Sequence, residues 1–303
     1  MTITTVIVTS CTQRKSGQDR IDLVQLPRIR EVKQLAEAWR RLVARTVPVT
    51  AAQSLYQGRS IADTAAAAAH LGTPWHVVSA GLGLIRSDQA VPAYECTVVA
   101  GSELDGRLKQ SGATAADWWN ALTAVEPHPL SQLISQSQTL LALPSSYLRM
   151  VHDDLARVPT TKASQLRIFT SITGAQLVPG HLVNCVMPYD DRLESVRSYA
   201  GTQSDFAQRA LRHFVETLGA ASLPLGEARS MVSAALAHRP RKLRSMRKRM
   251  SDDEIRQVLT AQWAQHEGRS TRLLRYLRDE ACISCEQKRF SRLWQALAME
   301  LHA

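Results

Sequence analysis

Short β-branched runs alternate with helix-spaced segments through the first two thirds of this chain. No other feature limits its fold as strongly. The runs are residues 4–9 (TTVIVT), 75–85 (WHVVSAGLGLI), 138–146 (QTLLALPSS) and 166–174 (LRIFTSITG), with 181–190 (HLVNCVMPYD) as a fifth that ends at Pro188. Between them, 30–44 puts Val32, Leu35, Ala36, Trp39 and Leu42 on one helical face. Residues 60–71 read as a helix closed by Gly72, and 116–125, 147–158 and 192–217 carry helical spacing too. Strands alternating with helices at this spacing predict an α/β fold: a mostly parallel sheet flanked by helices on both faces.

After Pro224, Leu225 and Gly226, read as a hinge, the strand pattern stops. Residues 227–237, 252–267, 270–280 and 284–302 all have helical spacing. The expected organisation is an α/β domain over 1–223, carrying the chemistry, and a small basic all-α domain over 224–303. No run approaches the ~20 apolar residues that cross a bilayer, and the first residues lack the features of a signal peptide. A cytoplasmic protein without a membrane partner is expected. Five scattered cysteines fit reduced thiols.

Charge narrows the partner. The chain carries a formal +10, and residues 226–303 hold 16 Lys/Arg against 9 Asp/Glu. Within them, 238–249 (HRPRKLRSMRKR) contains Arg239, Arg241, Lys242, Arg244, Arg247, Lys248 and Arg249 and no acid. A second group, Arg272, Arg275, Lys288 and Arg289, lies on a helix–turn–helix-like stretch. Such blocks read as contacts to nucleic-acid phosphates, with solvated faces as the plainer alternative. DNA is favoured over RNA; protein partners stay open.

Three constellations carry chemistry. In "TSCTQRKS" the first run ends in Ser10, Cys11 and Thr12, followed by Arg14 and Lys15. Hydroxyls, backbone N–H groups and cations after a strand suit an anionic ligand or a base edge. In "SAGLGLIRSDQAVPAYECT", Ser79, Gly81 and Tyr94 are candidate base contacts, Gly81 because it admits close backbone approach. Asp88 and Glu95 are candidate carboxylate catalysts there. Asp190 and Asp191, in "VMPYDDRLES", are the second carboxylate candidates, with a helix-start role as the alternative. Cys282 and Cys285 form a lone C-x-x-C, and four ligands are needed for structural zinc, so no metal is assigned. No organic cofactor is expected.

The motifs "SCTQRK", "SLYQG" and "VVSAGLGLIRSDQAVPAYECT" resemble a bacterial family of unknown function. Its members carry Ser-Cys-Ser-x-x-Lys, then Leu-Tyr-x-Gly, then Ser-Ala-Lys-Tyr-Gly-Leu-Leu and Pro-Tyr-Asp. The first motif is also similar to a segment of archaeosine synthase, in the transglycosylase-related group acting on 7-deazapurine bases. The likeness covers about the first hundred residues. Thr12 stands where the motif has serine, Gly81 and Leu82 where it has Lys-Tyr, and Ala93 is inserted before Tyr94. The resemblance implies chemistry on nucleobases and their glycosidic bonds. With the charge, the reading is a base-processing enzyme, a DNA glycosylase-type hydrolase acting on a modified base, in a setting such as phage defence. A non-catalytic nucleic-acid-binding regulator, or base exchange or amine transfer on RNA 7-deazapurines, are the alternatives. Lys15, with Asp88 or, ahead of it, Glu95 within about 10 Å, is the expected centre.

Overall fold

The computed structural model describes residues 4–17, 20–48, 50–241 and 248–301. It divides into two compact units, Met1–Arg241 and Lys242–Ala303.

The first unit is built on a five-stranded sheet. Its strands are β1 (Thr5–Ser10), β2 (Trp75–Ser79), β3 (Gly83–Arg86), β4 (Gln138–Ala142) and β5 (Leu166–Phe169), in the order β3-β2-β1-β4-β5. All pairs are parallel except β2–β3. Residues Val6 through Ser10 are buried without alternation, as expected of a central strand covered on both faces. The flanking helices are α1 (Val32–Arg45), which packs on α2 (Ala115–Leu122), and α3 (Arg59–Leu71), which packs on α4 (Phe206–Arg212). Leu35, Ala36 and Trp39 of α1 are buried, as its periodicity requires, and Trp118 and Trp119 meet them in the same core. The predicted stop at Gly72 is present: the residue is left-handed (φ 59°) and its N–H caps the carbonyls of Ala68 and Ala69.

Four sequence expectations need correction. Residues 75–85, read as one strand running into a glycine turn, hold that turn at Ala80–Gly83, with Gly83 at φ 76°, but the chain returns from it as a second strand. Residues 181–190 add no strand. Gly180–Cys185 is a 3₁₀ turn between Pro179 and Pro188, and only Val186 bridges to Ile168.

Residues 192–205 are short 3₁₀ turns, and regular α-helix begins at Phe206. The reason is a competing partner for the backbone. The Arg209 guanidinium, fully buried, binds the carbonyls of Tyr199 (2.5 Å) and Thr202 (2.6 Å) and the carboxylates of Asp205 (2.7 Å) and Glu194 (2.8 Å). Arg59 takes the carbonyls of Ser198 and Ala200. Carbonyls held this way do not accept helical N–H groups.

The hinge expected at 224–226 starts another helix, α5 in order of description (Leu225–Ala237). Its Ala228, Val232 and Leu236 belong to the core of the first unit, so the units part at 241/242 rather than 223/224.

The second unit is helical, as expected, with α6 (Asp252–Gln262), α7 (Ser270–Arg275) and α8 (Gln287–Leu301). Ser251 and Glu254 form a capping box at the start of α6. Ile255, Leu259, Leu273, Leu277, Phe290 and Leu297 form its core. One two-residue parallel pair, Lys248–Arg249 with Ile283–Ser284, was not anticipated. Among the described residues no helix is long and apolar enough to cross a membrane, and all five cysteines are free.

Candidate functional site

The carboxyl ends of β1 and β2 lie side by side, since Ser10 pairs with Val78. The chain after β1 therefore enters the same edge as the chain after β2, and sequence-distant groups meet there. Lys15 bridges to Tyr56 through the backbone. Tyr94 and Glu95 return to this edge by pairing with Ile21 and Asp22.

The result is a buried polar cluster around one cation. The Lys15 side chain has 0% exposure, and its Nζ has no hydrogen-bond acceptor among the described residues. It lies 4.6 Å from the centroid of the Tyr94 ring and 3.9 Å from Oε1 of Glu95, beyond hydrogen-bond length. Glu95 is 36% exposed, and its other oxygen lies 3.4 Å from Nη1 of Arg20. The approach of Lys15 to Glu95 expected from the two strand ends is thus present.

Around the cation the hydroxyls are paired. Tyr94 OH sits between Tyr56 OH (2.8 Å) and Ser79 Oγ (2.6 Å), and Ser79 Oγ accepts from the N–H groups of Gly81 and Leu82. Cys11 Sγ contacts Tyr147 OH at 2.9 Å. Burial pushes the hydroxyls of Tyr56, Tyr94 and Tyr147, and the Cys96 thiol, well above their ordinary ranges. These groups stay protonated near neutrality.

Several candidates occupy other positions than expected. Asp88 is on the opposite edge of the sheet. The Ser87 N–H bonds to the carbonyl of Trp75, at the start of β2, because the hairpin has carried the chain back there. Asp88 is 60% exposed and paired with Arg86 at 2.7 Å. It is not part of the cluster.

Gly81 does not leave room for a ligand: a Cβ there would lie 2.5 Å from the Tyr94 ring, so the ring takes the space. Ser79 and Tyr94 are themselves fully buried and act within the cluster. Asp190 caps the turn at Asp191–Ser195 and pairs with Arg192 (2.8 Å) and Arg241 (3.4 Å). Burial would raise its carboxyl, but the hydrogen bonds and charge of Arg192 outweigh this and hold it below the usual range. Asp191 is half-buried in the same turn. These contacts match the turn-start reading.

Ser10 is buried beside Cys11, and Thr12 bonds the carbonyl of the exposed Arg14. Arg239, Arg241, Lys248 and Arg249 are exposed. So are Arg272, Arg275 and Lys288, although Arg272 pairs with Glu267. Arg289 is half-buried and holds Asp252 (2.6 Å) and the carbonyl of Met250, which is a packing role within the second unit. Lys242, Arg244 and Arg247 lie outside the described residues.

Sequence reasoning missed Arg20, Tyr56 and Tyr147. Tyr56 lay within the quoted "SLYQG" motif and was a legible signal. Arg20 and Tyr147 offered none, since their partners stand 75 and 136 residues away.

Fold and cluster together define a mostly parallel α/β protein with a charged site at the carboxyl edge of its sheet, where such folds place their ligands. Comparison with protein-family models, curated proteins and solved structures gives no match.

Proposed function

We propose that this protein is a nucleic-acid base-processing enzyme, a glycosylase-type hydrolase that cleaves the bond between a modified base and its sugar, with DNA the favoured substrate. The observation that carries the reading is the Lys15–Glu95 arrangement. A half-exposed carboxylate lies 3.9 Å from a fully buried ammonium that has no acceptor of its own.

Departure of a base builds positive charge on the sugar and negative charge on the base. A fixed carboxylate stabilises the first, and a cation the second. In this reading water adds to the anomeric carbon and the C–N bond breaks, with its electron pair going to the base. Glu95 accepts a proton from the water, and the departing base takes a proton from Lys15. Return of the proton from Glu95 to Lys15 restores the enzyme. Lys15 and Arg20 lie 3.9 Å and 3.4 Å from the two oxygens of Glu95. Support for a polyanionic substrate comes from charge: residues 242–303 contain 13 Lys/Arg against 8 Asp/Glu. The base would be extruded to reach the strand-end site.

The test is mass spectrometry of free base released when the pure protein is given DNA and RNA carrying diverse modified bases. Glu95→Gln should bind nucleic acid as the parent does and release base ~10²-fold more slowly or worse, the scale of a lost acid–base group. Binding with no base release by the parent protein would replace this reading with the non-catalytic binder. Release that requires an added amine or deazapurine would replace it with base exchange.

A further inference from the structure

On the other side of the end of β1 lies a second opening that the proposed reaction does not use. It is a cleft of about 380 Å³ where the chain leaves β4 and β5, lined by Pro144, Ser145, Ser146, Ser171, Thr173, Gln203, Ser204, Phe206 and Ala207. The volume falls at the small end of the ~300–1,000 Å³ typical of small-molecule sites.

Its position follows from topology. The chains leaving the adjacent parallel strands β4 and β5 form two of its walls, at the carboxyl edge where open α/β sheets bind ligands, and residues 203–207 form the third. Gln208, next in sequence, donates from Nε2 to Thr9 Oγ1 (3.0 Å) and the carbonyl of Ala142 (3.1 Å).

The lining selects a chemistry. No charged side chain contributes to it, so an anion would find no counter-charge. Five hydroxyls and one amide contribute, so a wholly apolar ligand would strip water from polar groups without replacing it. Ser145 and Ser171 are 3.3 Å apart, and Ser204 bonds Thr202. Ser146, Thr173 and Gln203 have no side-chain hydrogen bond among the described residues, which leaves their donors and acceptors free. Two buried atoms next to the lining in sequence also lack partners: Thr170 Oγ1, before Ser171, and Gln208 Oε1, after Ala207. Pro144, Phe206 and Ala207 supply a small apolar wall.

Hydroxyls that both donate and accept, beside a limited apolar surface, match a neutral polyhydroxylated ring. We infer that this cleft binds the sugar of an uncharged ligand, the ribose of a free nucleoside, at a site separate from Lys15 and Glu95. The inference does not depend on the hydrolysis reading.

Calorimetric titration of the full chain with uridine, 2′-deoxyuridine and D-ribose tests it. Thr173→Val/Gln203→Ala serves as the variant, because both positions are exposed and the fold is retained. Uridine should bind saturably, and the double variant should bind it at least several-fold more weakly, since each lost hydrogen bond is worth about 2–10-fold. 2′-Deoxyuridine, one hydroxyl short, should bind a few-fold more weakly than uridine. D-ribose matching uridine would support the same chemistry with a free sugar as its source. Three results would overturn the inference: no binding of any of the three, equal binding of uridine and 2′-deoxyuridine, or uridine affinity unchanged in the variant. Glu95→Gln should leave uridine binding intact, so loss of base release and loss of this site read out separately.

Discussion

Arg209 and Lys15 are both cations with no exposed side-chain surface, and they are held in opposite ways. Arg209 is saturated: two carboxylates and two carbonyls take up its guanidinium, all within 2.5–2.8 Å. Lys15 has a ring face at 4.6 Å, a carboxylate at 3.9 Å and no acceptor. A saturated buried cation holds backbone in place, and here it holds residues 194–205 in their irregular path. An unsaturated one is costly to keep and contributes little to holding anything in place. In the reaction proposed above, that charge serves the departing base.

The comparison breaks if the two cations respond alike to removal. Arg209→Met should destabilise the first unit by about 3–5 kcal/mol in chemical denaturation, because Asp205 and Glu194 are left without their shared partner. Lys15→Met replaces the charge with an apolar chain of similar length. It should leave stability unchanged or raise it by of order 1 kcal/mol, while lowering base release ~10²-fold with Glu95 intact. A Lys15→Met protein that unfolds would place the lysine with Arg209 as a structural group. The exposed Arg86–Asp88 pair gives the lower limit. Asp88→Asn should leave the denaturation midpoint and base release at the parent values.

The contrast also separates what the sequence discloses from what it conceals. Local rules were readable. The unbroken apolar run of β1, the spaced face of α1 and the Gly72 stop each depend on neighbours within a few residues. The meeting of Lys15 with Glu95 was expected from segments leaving adjacent parallel strands, but the chain reaches it by another route: it crosses to the far edge after β3 and returns where Tyr94 and Glu95 pair with Ile21 and Asp22. Asp88 was misplaced because the glycine turn ending "WHVVSAGLGLI" reads as opening a loop at the carboxyl edge, whereas the chain returns from it as the antiparallel strand β3. The reversal at Gly83 depends on tertiary pairing, and it sends the next residues to the far edge. The irregular path of 192–205 was hidden for a related reason. Its helical spacing is genuine, but Arg209 and Arg59 capture the carbonyls, and which carbonyl a guanidinium reaches is set by the fold. Arg20 was invisible since nothing in its neighbourhood announces a carboxylate 75 residues on.

The contact between Gly81 and the Tyr94 ring has a consequence for how such a chain can diverge. The motif this sequence resembles carries a lysine where Gly81 stands, and here the Tyr94 ring fills the volume which that side chain's first carbon would need. Position 81 is not free while Tyr94 keeps its ring. A side chain at 81 is accommodated only if the ring at 94 is lost or displaced. That change would also remove the aromatic face beneath Lys15 and the hydroxyl that joins Tyr56 to Ser79. The order of substitutions is therefore constrained: the ring at 94 must give way before position 81 can carry a side chain.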